Sequence, residues 1–256
     1  MLNGLWKLSW IETKVFVREP MGVVGSLVVP VIIFVIFGRM FGASARTAPA
    51  LTATIDPSGA TAAPVNVTIL AAVLIAVGAV QSLIAIIAIY REGGILKRLR
   101  ATPLSPVTIL GAHVLVKLMF TVASLALLVL AGRRIFPGAM QVNLVSFTAA
   151  LLLGTLSILT LGFVLASLVP TARFAQPLGA VILYPMIALS GLFFPVAALP
   201  AWLRGVAYLL PTTHAVALLQ GVWDGSGWTA HWGDAAMLLV LGAAFTALST
   251  KVFRWE

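Results

Sequence analysis

The chain has 256 residues, 61% of them hydrophobic and 9% charged, with a mean hydropathy of +1.10. A water-soluble domain carries about 25% charged residues, and one of this size cannot bury so large an apolar excess, so the soluble classes are excluded and an integral membrane protein is expected. The net charge of +9 lies in the flanks of apolar runs rather than on a polar fold. That argues against a nucleic-acid partner and matches the Lys/Arg-rich cytoplasmic flanks of membrane helices. With no cysteine, the chain has neither disulfides nor a thiolate metal site.

Residues 1–20 precede the first long apolar run. On a helical wheel, Lys7, Lys14 and Arg18 share one stripe and Leu5, Leu8, Ile11 and Val15 another, with Trp6 and Trp10 at the flank. This pattern predicts a helix lying in the membrane interface. Six apolar runs follow that are long enough to span: 21–38, 65–89, 107–131, 144–170, 174–194 and 235–250. Ala43-Ser44-Ala45 has the small-x-small form of a signal cleavage site, but the run before it exceeds the usual h-region of about 7–15 residues. The first run therefore reads as an uncleaved span. The loop 39–64 is rich in Ala, Thr and Pro and carries the turn signal Asp56-Pro57-Ser58-Gly59.

Only the third run contains a charge, Lys117, with His113 nearby; a structural or snorkelling role is the simplest reading for this lysine. The densest basic cluster, Arg91, Lys97, Arg98 and Arg100, lies between the second and third runs. With the N-terminus inside, it and most other Lys/Arg fall on the cytoplasmic side, and six spans place both termini there. Arg39, Arg46, Arg133, Arg134 and Arg204 fall outside against the bias. Residues 195–221 are apolar but cut by Pro195, Pro200 and Pro211 into two pieces too short to cross, which predicts two short helices that dip into the outer leaflet and return.

The chemistry of an enzyme is missing. The seven acidic residues all lie outside the predicted spans, the three histidines are scattered, and no H-E-x-x-H, G-x-S-x-G or P-loop occurs. The chain is therefore expected to bind no metal or cofactor and to hydrolyse no ATP by itself. Ion-coupled carriers carry intramembrane carboxylates along their path, and none is predicted here.

Two motifs identify a family resemblance. After the second run stands Glu92-x-Gly94-Ile95-Leu96-x-x-Leu99-Arg100-Ala101-Thr102-Pro103-Leu104-Ser105-Pro106. After the fifth stands Ser190-Gly191-Leu192-Phe193-Phe194-Pro195, followed by Leu199-Pro200-x-Trp202-Leu203 and Leu210-Pro211-x-Thr213. In spacing, order and span number the chain resembles ABC-2 type permeases, the transmembrane subunits of ATP-binding cassette exporters similar to daunorubicin-resistance and nodulation-factor exporters. The resemblance implies an all-α, ABCG-like (type V exporter) bundle of six transmembrane helices in a single domain, 1–256. Its parts would be a connecting helix (1–20), a coupling helix (91–106) and an external re-entrant hairpin (195–223).

It also implies two ATPase subunits, which would hold the ATP and Mg, and a second permease copy, expected to be identical, all in a bacterial or archaeal plasma membrane. The coupling segment would dock on the ATPase through Glu92, Gly94, Leu96, Arg98, Leu99, Arg100, Thr102 and Pro103. A substrate path lined by spans two and five would use Gln81, Ser82, Tyr184, Phe193 and Phe194. The expected activity is export of an amphipathic substrate such as a drug, lipid, glycolipid or natural product. The alternatives are an ion-coupled transporter, or a membrane-embedded enzyme or scaffold.

Overall fold

The structure, a computed structural model, describes residues 2–18, 23–42, 66–95, 106–135, 142–169 and 171–252. Among these residues the ordered elements are all helices. In chain order they are α1 (Leu2–Arg18), a π-helical turn (Val24–Val28) running into α2 (Val29–Gly42), α3 (Val67–Glu92), α4 (Pro106–Ile135), α5 (Leu144–Leu168) and α6 (Ala172–Ala188). A 3-10 turn (Val196–Ala198) then leads to α7 (Ala201–Tyr208), α8 (Pro211–Trp223), α9 (Gly227–Ala230) and α10 (Trp232–Val252). Most of the loop after α2 and residues 96–105 lie outside the described residues.

Helix ends follow local chemistry. α3 and α5 each start at an asparagine whose side-chain oxygen accepts two backbone N–H groups that have no partner within the helix. Asn66 takes those of Thr68 (3.0 Å) and Ile69 (3.3 Å), and Asn143 those of Val145 (3.1 Å) and Ser146 (3.2 Å). α3 stops at Gly93-Gly94, where Gly94 takes φ +66°, a left-handed conformation that other residues resist. Glu92 is thus the last residue of α3, not the first of the helix expected to follow. Pro200 precedes α7 and Pro211 opens α8, positions at which a missing N–H costs nothing. At the end of α6, Ser190 donates to the carbonyl of Ile187 (2.6 Å) and Gly191 turns with φ +86°.

α3, α4, α5 and α10 are long and apolar enough to cross a bilayer; Val24–Met40 is a shorter apolar helix, and α6 has 17 residues with Pro177 and Pro185 inside it. α3 and α5 form the centre. Of the apolar window of α3, 61% is buried, and of α5, 67%. α3 touches α2, α4, α5 and α6, while α5 carries α8 and α10 on its other side. α10 is less strongly apolar than α3 and α5, and only 11% of its apolar stretch is buried.

Glycines set the closest approaches. A Cβ on Gly162 of α5 would fall 2.9 Å from Cγ1 of Val80 on α3, and one on Gly154 would fall 2.8 Å from Cβ of Ala215 on α8. Small residues at such crossings allow tight helix packing where no hydrophobic effect drives association.

The connection from α6 to α10 holds two short helices of 8 and 13 residues with unlike surroundings. Trp202, Val206 and Leu209 of α7 are exposed, whereas α8 is buried along most of its length against α5 and α10. Thr212 donates to the carbonyl of Met186 (3.0 Å), tying α8 to the end of α6. Arg204 donates to the carbonyls of Ala197 (2.7 Å) and Leu199 (3.1 Å). His214 on α8 and His231 before α10 both reach Asp234 in the first turn of α10, at 2.8 and 3.0 Å. Two histidines that are scattered in sequence therefore share one carboxylate. The other ring nitrogen of His214 faces the carbonyl of Tyr208 at 2.9 Å.

The exposed face of α1 departs from the wheel. Ser9, Glu12 and Phe16 are buried against the bundle, while Ile11 and Val15 face outward together with Trp6 and Trp10. An apolar stripe on an interfacial helix can meet lipid or protein, and periodicity does not tell the two apart.

Replacing Gly162 by Val should lower the melting temperature of the detergent-solubilised protein, because overpacking a tight crossing costs about 1–3 kcal/mol. Gly78→Ala, where the added methyl meets open space, should leave it unchanged or raise it. Equal melting temperatures for the two variants would contradict this packing.

Candidate functional site

A groove of ≈ 490 Å³ opens between the π-helical turn and α2 on one side, α3 on the second and α6 on the third. Val29, Pro30, Ile33, Leu74, Val77 and Ile86 make its wall apolar, and Ser26, Gln81, Ser82, Gln176 and Tyr184 supply its polar atoms. Among the described residues, no Asp, Glu, Lys, Arg or His lines it. Such a surface suits a ligand that is largely apolar with a few neutral hydrogen-bonding groups.

Three residues expected on a substrate path, Gln81, Ser82 and Tyr184, meet in this groove. Phe193 and Phe194 are not part of it: Phe193 packs on the main core beyond the end of α6, and Phe194 is exposed beside it. The side-chain carbonyl of Gln81 is buried without a hydrogen-bond partner. It lies against Gly179 of α6, where any Cβ would collide with the amide. The π-helical turn exposes backbone that an α-helix would use internally, and Ser124 of α4 donates to the carbonyl of Ser26 (2.9 Å).

Behind the groove lies a buried polar cluster under α1. Lys117, 5% exposed, donates to the Ser82 hydroxyl (2.6 Å), and its ammonium stands 4.1 Å from the ring centroid of Phe16. Glu12 accepts from the Tyr90 hydroxyl (2.8 Å) and lies 3.5 Å from Nδ1 of His113. The rings of Tyr90 and His113 meet edge-on at 5.5 Å. Ser82 thus belongs to both the groove wall and the cluster, and Lys117 is held by protein rather than reaching the interface.

Sequence reasoning treated Glu12 as one of seven scattered acids. The available signal was positional: Glu12 sits with Leu5, Leu8, Ser9 and Phe16 at helical spacing, a carboxylate on a stripe that packs against protein. His113 and Lys117 are four apart, on one face of α4. Ser26 and Gln176 carried no motif, and only the fold brings them to the groove.

The end of α3 has its own geometry. Arg91 donates to the carbonyls of Ala166 (3.2 Å), Ser167 (3.4 Å) and Val169 (2.7 Å) at the end of α5. Glu92 accepts the backbone N–H of Ala172, the first residue of α6, at 2.9 Å. A cation thus meets the carbonyl end of one helix and an anion the amide end of the next, each complementing the helix dipole. Of the expected docking residues, Glu92 and Gly94 are in place at this turn; Leu96, Arg98, Leu99, Arg100, Thr102 and Pro103 lie outside the described residues.

Comparison with known proteins locates this arrangement in a family. The family described as ABC-2 type transporter matches residues 3–222. Two curated relatives, each named inner membrane transport permease YhhJ, come from Escherichia coli (strain K12) and Shigella flexneri. Each is 25% identical over 194 residues, covering 74% of this chain and 49% of the relative. The chain spans about half the length of the curated relatives it matches. With the match running from α1 through α8, so that the groove, the buried cluster and the end of α3 all fall inside it, this multi-pass membrane protein belongs to the ABC-2 type transporter family.

Proposed function

We propose that the chain is the transmembrane permease subunit of an ATP-binding cassette exporter that moves an amphipathic substrate out of the cytoplasm or inner leaflet. The observation that carries this reading is the uncharged groove of ≈ 490 Å³ in which Gln81, Ser82 and Tyr184 meet between α2, α3 and α6. Family membership supports transport, and the inner-membrane relatives support a location in the plasma (inner) membrane. The chain holds no P-loop, so ATP and Mg would be bound by two separate ATPase subunits.

Six crossings complete the topology when α2 and α6 are counted with the four longer helices, and both termini are then cytoplasmic. α6 crosses with 17 residues, close to the lower length for a helix spanning the bilayer core. The segment 91–106 docks on the ATPase. By the resemblance, Leu96 and Leu99 would insert into the partner, Arg98 and Arg100 would supply charge for its acidic groups, and Pro103 and Pro106 would stop the segment. Gly94 marks where this segment leaves α3. Two copies of the chain would face each other across the groove, with residues 195–223 forming the external hairpin.

The ion-coupled alternative would route an ion through Glu12, His113 and Lys117. Those residues are occupied with one another and with their neighbours, and the cavities beside them measure ≈ 20 and ≈ 10 Å³, room for about one water each. The packing favours the ATP-driven reading.

Two outcomes test the proposal. Purified through a tag on this chain, the complex should contain an ATPase, and Leu96→Glu should abolish its retention while the permease still folds. A wild-type chain that moves cargo with an ion gradient and no ATPase would overturn the reading. In the reconstituted complex, neutral amphiphiles should stimulate ATP hydrolysis more than strongly charged ones. Gln81→Leu should weaken that stimulation about fivefold, the scale of one neutral hydrogen bond. Unchanged stimulation would remove the groove from the substrate path.

A further inference from the structure

Tyr90, Arg91 and Glu92 are consecutive, and each holds a different element. Side chains of successive helical residues point about 100° apart, so three in a row sweep about 200°, just over half the circumference of α3. At this level α3 has α1 on one side, the end of α5 on another and the start of α6 on a third. Tyr90 donates to Glu12 of α1 (2.8 Å). Arg91 donates to three carbonyls at the end of α5, the shortest contact being 2.7 Å to Val169. Glu92 accepts from Ala172 at the start of α6 (2.9 Å). The helix ends at Glu92, with Gly93 as its cap and Gly94 turning the chain at φ +66°.

We infer that Tyr90, Arg91 and Glu92 are positioning residues that distribute motion of the coupling segment to α1, α5 and α6 by separate hydrogen bonds, and that Glu92 works by accepting the α6 amide rather than by presenting its charge to the ATPase. The inference rests on the proposed function, since it requires that an ATPase moves the segment beyond Gly94. The α5–α6 turn has an orphan carbonyl end and an orphan amide end side by side. Two adjacent residues of opposite charge fit those two ends. α6 then follows α3 as the latter shifts, and α6 carries Gln176 and Tyr184 of the groove wall and Gly179 against the Gln81 amide. Glu92 is itself exposed, so its removal leaves no buried group unpaired.

The absence of cysteine permits single labelling sites. Phe174→Cys on α6 and Trp10→Cys on α1, both at exposed positions, would each carry an environment-sensitive fluorophore in the complete complex, co-purified with its ATPase. The readout is the fluorescence change on adding Mg-ATP with vanadate. In the Phe174→Cys background, Glu92→Ala should reduce the change about tenfold, the scale set by losing a hydrogen bond to a charged acceptor. Glu92→Gln, which keeps a carbonyl oxygen for the amide, should retain most of it. Tyr90→Phe should reduce the change at position 10 and spare that at 174.

The inference is overturned if Glu92→Gln is as defective as Glu92→Ala, if neither variant alters its own site, or if both variants silence both sites equally. A wild-type complex that lacks an ATPase, or labels that do not respond to nucleotide, would instead sink the function proposal and this inference with it. Equal ATPase retention in Glu92→Ala and wild type is expected, and loss of retention would show that Glu92 docks directly.

Discussion

α3 packs against α2, α4, α5 and α6, with 61% of its apolar stretch buried, and the placement of the polar groups at the groove and under α1 depends on that. In a lipid environment a helix satisfies its own backbone, but its polar side chains need partners from other helices. Because α3 touches α2, α4, α5 and α6, Gln81, Ser82 and Tyr90 can meet only protein or whatever occupies the groove. Gly162 brings α5 close enough to close one side. On the α6 side, Gly179 leaves just the space that the Gln81 amide fills. The groove is what remains between three helices whose close contacts are set elsewhere.

Charge is handled by pairing. Burying an ion without a partner costs several kcal/mol, and the buried ionisable groups beneath α1 are arranged accordingly: Lys117 meets Ser82 and the face of Phe16, while Glu12 meets Tyr90 and His113. One consequence concerns α1. A helix held by apolar contacts alone could slide or roll in the interface, whereas one held through a buried carboxylate has a defined register against α3 and α4. Its outward face keeps Trp6 and Trp10 for the headgroup region. The same economy governs the opposite end of the bundle, where Asp234 serves His214 and His231 together. Arg204 donates its guanidinium N–H groups to two nearby carbonyls.

Much of the local structure was legible beforehand. Pro200 and Pro211 divide the connection before α10, and the long apolar runs become α3, α4, α5 and α10. The two motifs led to the family, and Gln81 stood out as an amide in an apolar span. Other features had no linear signature. Glu92 reads as part of the segment that follows it, because its partner is an amide 80 positions away. Glu12 reads as a solvated acid, because nothing in residues 1–20 reveals Tyr90 and His113. Phe193 and Phe194 read as path residues beside Tyr184, but the turn at Gly191 carries them off the axis of α6.

By itself, the amino-acid sequence determined the membrane class, the helical content and the rough extent of most helices, since these follow from composition and hydrophobic run length, while the family was legible only through the resemblance of two motifs. Only the tertiary structure decided which apolar helix is central and which is peripheral. α3 and α4 are almost equally apolar, yet 61% of one and 33% of the other is buried, because in a bilayer both lipid and protein are acceptable neighbours for apolar surfaces. The groove, the carboxylate under α1 and the three-way junction at residues 90–92 follow from that choice, because each joins side chains from helices that only packing brings together.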